Sequence, residues 1–413
     1  MILLRLAWRN LWRNRRRTLL TTTTMALGLT VLLVTLGLGD GSHLQMINSA
    51  VRSGSGHVLI QARGYQELGG VERTLSGQQR RAVAGWVLEK EHSFGIIGTA
   101  PRISASVLGS SSDGSVGVQL IAVQAEAEAR ISRFAETVAE GEFLTSKDSG
   151  KVLVGVGVAR KLKIGLGDKM VLMGQGAQGE IESIVVRIKG LIRTGLVEFD
   201  QVLVLADLAT GQDFLQLDQR VHQFAVLLDD MNLASPLAAA ATRAFPELEV
   251  LDWQQALPQL ADFIRIDDGG AYVFHFFLFM LIAFMVFNTL LMSVLERRRE
   301  FALLEALGLV AGQRFLLVLL EATLIAVLAL LWGMALGLSL HAYLAMYGLP
   351  LDIISTSELS VAGVAFEPIM YSSLSPARIL QAMIVVFGMS LMLAMVAARR
   401  AALAGDIRLL GSH

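Results

Sequence analysis

The 413-residue chain contains no cysteine. Disulfide stapling, thiolate zinc sites, iron–sulfur clusters and a cysteine nucleophile are therefore excluded. Charge is scarce as well. Asp, Glu, Lys and Arg make up 17% of the residues, against about 25% in an ordinary soluble domain. Basic and acidic residues balance at 35 and 36, so no electrostatic footprint for nucleic acid is present. A hydrophobic content of 54% excludes a disordered chain. The G-x-x-x-x-G-K-[ST] phosphate loop, H-E-x-x-H, G-x-S-x-G and S-x-x-K are all missing. The chain thus lacks the usual means of binding ATP and the commonest hydrolytic signatures.

The missing charge is concentrated in four apolar runs, Thr18–Leu38, Ala271–Leu295, Phe315–Ala345 and Ile379–Ala398. Each reaches the roughly 20 residues a helix needs to cross a bilayer. Glu321 is the only formal charge within them. The first run is longer than a signal-peptide core and lacks an A-x-A ending, so it reads as an uncleaved anchor. Arg5, Arg9, Arg13, Arg15, Arg16 and Arg17 precede it. Arg297, Arg298, Arg299 and Arg314 separate runs two and three, and Arg399, Arg400 and Arg408 follow run four. The segment 346–378 has only Arg378, at its far edge, and carries Asp352, Glu358 and Glu367. The positive-inside rule then predicts cytoplasmic termini, a cytoplasmic 296–314 loop and an external segment 39–270. Leu4, Trp8 and Leu11 form an apolar stripe beside Arg5, Arg9 and Arg13. Residues 1–17 are therefore expected to form an interfacial helix, with Trp8 and Trp12 in the headgroup layer.

About 230 external residues can build a substantial core. A strand at His57–Ala62, a helix at Ser76–His92 and a strand at Phe94–Gly98 make one β-α-β unit, with Ser76 as N-cap. Gln223–Asp229, Ala234–Phe245 and Leu248–Trp253 make another. Between them, Val116–Val123, Lys151–Val156, Lys169–Met173, Ile184–Ile192 and Gln201–Leu205 read as strands. The expectation is an α+β lobe carrying a β-rich insert at about 105–222. Gln254–Asp268 reads as a helix running into the second span, with Pro258 tolerated near its start. Ser53-Gly54-Ser55-Gly56-His57 reads as a flexible turn. Glu89 and His92 share a helix face but read as solvated surface, and no metal site is expected.

Within the membrane, Glu321 lies about two turns inside the boundary, placed to pair with a nearby Arg, and Asn288 is placed to hydrogen-bond across helices. His275 and His341 fall near the outer boundary. The most informative local pattern is Arg297-Arg298-Arg299-Glu300-Phe301-Ala302-Leu303-Leu304-Glu305-Ala306-Leu307-Gly308. Arg297 and Glu300 support a short helix. Phe301, Leu304 and Leu307 form an apolar stripe expected to face a partner, and Gly308 is placed to end the helix.

The order of these features resembles the FtsX-like ABC transporter superfamily, with its MacB-type and lipoprotein-releasing (Lol-type) transmembrane subunits. The resemblance rests on Leu6-Ala7-Trp8-Arg9-Asn10-Leu11-Trp12-Arg13-Asn14 with its Arg cluster and on Gly56-His57-Val58-Leu59-Ile60-Gln61 with Gly64-Tyr65. It also rests on Ala100-Pro101-Arg102-Ile103, on 154–162 with Gly167-Asp168, on Arg193-Thr194-Gly195 with Phe199-Asp200, and on 299–308. It implies an α-helical membrane protein with four spans (18–38, then 271–295, 315–345 and 379–398) and a MacB-like periplasmic α+β domain at 39–270. That domain would have a porter-like lobe and an inserted β-rich lobe. The 296–314 loop would hold a coupling helix in which Arg297, Arg298, Arg299, Glu300, Phe301, Leu304, Glu305, Leu307 and Gly308 meet an ATPase. Residues 346–378 would form a periplasmic loop and 399–413 a cytoplasmic tail, which lacks the proline-containing ending of relatives.

The resemblance further implies a non-catalytic permease of the bacterial inner membrane with no cofactor of its own. ATP and Mg would sit on a partner ABC ATPase dimer, with a second permease copy or a homologue completing the membrane part. Membrane lipids, a lipoprotein cargo and a periplasmic carrier or adaptor are the remaining partners implied, without nucleic acid. The expected action is mechanotransmission for lipoprotein release. MacB-like efflux with an adaptor and FtsX-like signalling to a cell-wall hydrolase are the alternatives.

Overall fold

Long stretches without proline or a charge to solvate fold as uninterrupted helices, because only a helix satisfies its own backbone in an apolar solvent. The computed structural model describes residues 2–13, 15–195, 197–350, 360–361, 364–365 and 369–403. Asn14, Asp352, Glu358, Glu367 and the tail from 404, with Arg408, lie outside the described residues.

In chain order the chain begins with α1 (Ile2–Arg13) and α2 (Arg15–Ala50), a π-type turn at Val51–Ser55, β1 (Val58–Ala62), α3 (Tyr65–Leu68), α4 (Gly77–Phe94) and β2 (Ile96–Ser110). Next come β3 (Ser115–Val123), α5 (Ala125–Ile131), β4 (Val138–Gly141), β5 (Lys151–Gly155), α6 (Val156–Leu162), β6 (Lys169–Gln175) and β7 (Ile181–Ile192). Then follow α7 (Val197–Asp200), β8 (Leu203–Asp207), α8 (Leu208–Phe214), β9 (Gln223–Leu228), α9 (Ala234–Ala244), β10 (Leu248–Asp252) and α10 (Trp253–Ala256). The last long helices are α11 (Pro258–Glu296), α12 (Arg298–Ala306), α13 (Ala311–Tyr347) and α14 (Pro376–Leu403).

Two compact units result. Over the described residues, one holds 45–264 and the other 2–44, 265–350 and 369–403. In the first, β1 pairs antiparallel with β10 and β9, and β9 pairs antiparallel with the first half of β2. The order β10-β1-β9-β2 is that of a split β-α-β lobe, with α4 and α9 as its two helices. Ser76 and Gln79 form a reciprocal capping box at the start of α4, which is why that helix begins where the sequence predicts.

The second half of β2 pairs with β3, and the ladders β3–β8, β8–β5, β5–β7, β7–β6 and β6–β2 follow. Six strands therefore close on themselves into a small barrel, which removes their open edges. Its interior is filled by Ile103, Val107, Leu120, Val154, Met170 and Leu172, among others. The β-rich insert is thus a closed barrel. It also holds α5, α6, α7 and α8, four short helices absent from the sequence reading. The turn before β1 is a π-type turn with Gly54 at φ 148°, and His57 after it is buried.

In the other unit, α2, α11, α13 and α14 are, among the described residues, the four helices long and apolar enough to cross a membrane. They continue past the uncharged runs, and polar pairs tie their charged extensions. Asp40 on α2 meets Arg378 on α14 at 3.3 Å, and His43 on α2 meets Asp267 on α11 at 2.8 Å. Gly333 and Gly337 lie on the face of α13 that meets α2. A Cβ at Gly333 would stand 2.9 Å from the Ala26 carbonyl oxygen, and one at Gly337 would stand 2.7 Å from Leu33 Cδ1. This is the small-xxx-small spacing that lets two membrane helices approach closely.

Candidate docking site at the 296–314 loop

The loop between α11 and α13 folds as α12, a helix of 9 residues. So short a helix is marginal alone and depends on what it packs against. Gly308 ends it with φ 94°, and the Leu309 amide donates back to the Leu304 carbonyl. This is the left-handed C-terminal closure that glycine makes without steric cost.

The inner face of α12 is sealed. Phe301 is 1% exposed and packs with Val294, Val318 and Ala398, while Ala302 is fully buried. This corrects the expectation that Phe301 faces a partner. Phe301 and Leu304 do share a helix face, but that face covers the ends of the helix bundle. Leu304 is half-buried against the same cluster. The outward apolar residues are Leu303 (55% exposed), Leu307 (79%) and Val310 (62%), with Arg299 exposed beside them. Of the expected set, the side chain of Arg298 lies outside the described residues.

Charge fixes the position of α12. The guanidinium of Arg297 is buried and lies 5.3 Å from the centre of the Phe301 ring. It donates from Nη1 to Glu321 Oε2 at 2.6 Å and from Nε to Glu300 Oε2 at 2.8 Å. Burial opposes its charge, yet the two carboxylates raise its affinity for the proton above the ordinary value. Glu321 Oε1 accepts from Asn10 Nδ2 at 2.6 Å, and Glu300 Oε1 pairs with Arg13. A second pair, Arg314 Nη1 to Glu305 Oε2 at 2.5 Å, holds the far end of α12, and Arg314 also donates to the Ala402 carbonyl at 3.1 Å. Glu321 is therefore held in an ion pair, as its position near an Arg predicts. A cavity of about 40 Å³ lies beside it, lined in part by Thr18, Thr21 and Thr289.

The other polar residues of the apolar helices lie apart from this cluster. Asn288 is exposed on the outside of α11, so it makes no bond across this bundle. His275 is buried beside Thr35, 3.1 Å away, and His341 bonds Ser372 at 2.7 Å. Both side chains bond to neighbouring segments of this unit. On α1, Trp8 and Trp12 are half-exposed, while Ala7 and Leu11 are buried. Residues missed at the sequence level are Asn10, Arg13, Arg314 and the Gly333/Gly337 pair. Gly333-x-x-x-Gly337 is readable as a motif, whereas nothing local marks Asn10 as the partner of a residue 311 positions away. Among the described residues no group of three or more His, Asp or Glu is placed to hold a metal.

Comparison with known proteins agrees with this layout. Residues 18–244 match the MacB-like periplasmic core domain and 272–403 the FtsX-like permease C-terminal region. The lipoprotein-releasing system transmembrane protein LolC of Neisseria meningitidis serogroup B is 22% identical over 296 residues, covering 69% of this chain and 67% of its own. LolE of Haemophilus influenzae is 23% identical over 327 residues, covering 77% and 78%. The periplasmic region of MacB from Actinobacillus actinomycetemcomitans aligns with 51% of this chain and 94% of its own, at 12% identity and a TM-score of 0.34. With more than half of its length matched by one domain family and most of the remainder by its companion, the chain belongs to the FtsX-like, MacB-like family of ABC transporter permeases.

Proposed function

We propose that the chain is the membrane subunit of a bacterial inner-membrane ABC transporter that releases lipoproteins, driven by an ATPase on a separate chain. The observation that carries this reading is the two-sided build of α12. Its inner face is sealed by Phe301 and Ala302, and its outer face leaves Leu303, Leu307 and Val310 bare beside Arg299. A short, firmly seated helix with an apolar tip and a basic flank suits a groove on an ATPase, and an ATPase dimer with two such grooves calls for a second permease.

The extracytoplasmic end supports the same reading. Met46, Ile47 and Ala50 at the end of α2, Val51 just after it, and Leu260 and Ala261 at the start of α11 belong to the core of the 45–264 unit. Both segments are anchored in packed protein, so a displacement of either strains the domain instead of merely swinging it. The lipoprotein cargo is supported by the names of the two Lol relatives.

Docking is tested by Leu303→Asp and Leu307→Asp in the full-length chain. Both are expected to abolish co-purification of the ATPase without lowering the melting temperature, since both positions are exposed. Retained co-purification in the double variant removes the docking claim. Depletion of the chain is expected to leave acylated lipoproteins in the inner membrane. Unchanged lipoprotein sorting, with lost export of small compounds or with wall defects, overturns the cargo assignment.

A further inference from the structure

Each of the two carboxylates that hold Arg297 has its second oxygen occupied by α1. Glu321 gives Oε2 to Arg297 and Oε1 to Asn10. Glu300 gives Oε2 to Arg297 and Oε1 to Arg13. Asn10 and Arg13 are three residues apart, so they leave the same face of α1. That helix packs along α13. The result is a chain of five side chains, Asn10–Glu321–Arg297–Glu300–Arg13, that starts and ends on α1 and passes through both flanking segments of α12. Its two acids balance its two guanidinium groups.

We propose that α1 is a clasp that sets the position of α12, making Asn10 and Arg13 positioning residues for ATPase docking although neither lies on the exposed face of α12. The physical reason is the cost of a buried charge left short of partners. Arg297 is nearly enclosed, so it stays with its two acids. Those acids are held in place from the other side by α1. Removing the α1 donors frees Glu300 and Glu321 to rotate, and the start of α12 loses its fixed point. The helix is then seated only by Phe301 and Ala302 and by the Arg314–Glu305 pair at its far end.

This proposal rests on the docking role given to α12 above, and its decisive measurement needs no ATPase. The chain has no native cysteine, so Leu307→Cys supplies a single site for a nitroxide label at an exposed position. Ile384→Cys on α14, 62% exposed, serves as the reference. In full-length protein in lipid nanodiscs, Asn10→Ala with Arg13→Ala is expected to raise label mobility at 307 and leave it unchanged at 384. Arg13→Ala alone changes a half-exposed side chain, so folding is preserved if the double variant fails, and it is expected to give a smaller shift in the same direction. Arg13→Lys is expected to restore the unshifted spectrum. Unchanged mobility at 307, or an equal rise at 384, overturns the clasp. In the assembled transporter, loss of ATPase coupling in Leu307→Asp with retention in Asn10→Ala, Arg13→Ala overturns the clasp and keeps the docking reading. Retention in both removes the docking reading itself.

Discussion

His57 is 4% exposed, its Nδ1 accepts from the Leu228 amide at 3.0 Å, and its Nε2 has no protein partner. Burial, reinforced by the nearby charge of Arg52, lowers its pKa from 6.5 to about 4. The unfolded chain therefore binds a proton between about pH 6.5 and 4 that the folded domain refuses, and stability falls as pH falls through that window. At full development the loss is on the order of 3 kcal/mol. Unfolding followed across this range is expected to show the slope, and His57→Gln is expected to flatten it. His222 is lowered in the same direction by burial and leaves a residual slope. Arg102 and Glu128 form a bidentate pair in the same unit, at 2.9 and 2.6 Å, with both side chains almost fully enclosed. Glu128→Ala leaves a guanidinium stranded and is expected to cost about 3–5 kcal/mol, read as a lowered melting temperature of the domain.

At the scale of elements, close approach of α2 and α13 depends on two missing side chains. Gly333→Leu or Gly337→Leu forces a branched side chain against the Ala26 carbonyl or Leu33. Each is expected to destabilise the bundle by about 1–3 kcal/mol, checked by thermal unfolding in detergent, whereas a leucine at exposed Gly312 should have little effect. Phe301→Ala is expected to behave as a core truncation costing about 3–5 kcal/mol, unlike Leu307→Ala, which should leave the melting temperature unchanged. The existence of α12, its terminating glycine and its Arg297–Glu300 pair were readable from spacing alone. Which side of it faces inward was not, since Phe301, Leu303, Leu304 and Leu307 are all apolar and only tertiary packing separates them. The long helices were readable from their apolar runs. The charged extension of α11 was readable too, as a helix running into the second span, but that of α2 was not, because Asp40 and His43 look like loop residues until Arg378 and Asp267 meet them.

At the scale of the whole molecule, topology is open to direct test with the thiol-free background. Leu88→Cys on exposed α4 is expected to react with a membrane-impermeant maleimide added to spheroplasts, and Leu307→Cys only after lysis. The reverse pattern inverts the assigned orientation. The two β-α-β units were visible in the sequence because strand–helix–strand lengths and the Ser76 cap are local signals. Barrel closure was not, since the β6–β7 hairpin closes the ring only when β6 also pairs with β2, a contact between residues far apart in the chain. The early end assigned to the second strand, at Gly98, has the same origin: beyond it, Thr99–Ser110 mixes small and polar residues whose place in a sheet is decided by neighbours.

That misjudged strand has a mechanical consequence. β2 runs for 15 residues, bonding β9 along its first half and β3 along its second. The two ladders share only Arg102, so one continuous strand passes from the first lobe to the second at the residue where it changes partner. Any change of angle between the two lobes is therefore expected to concentrate at Arg102, the point that its buried pair with Glu128 braces.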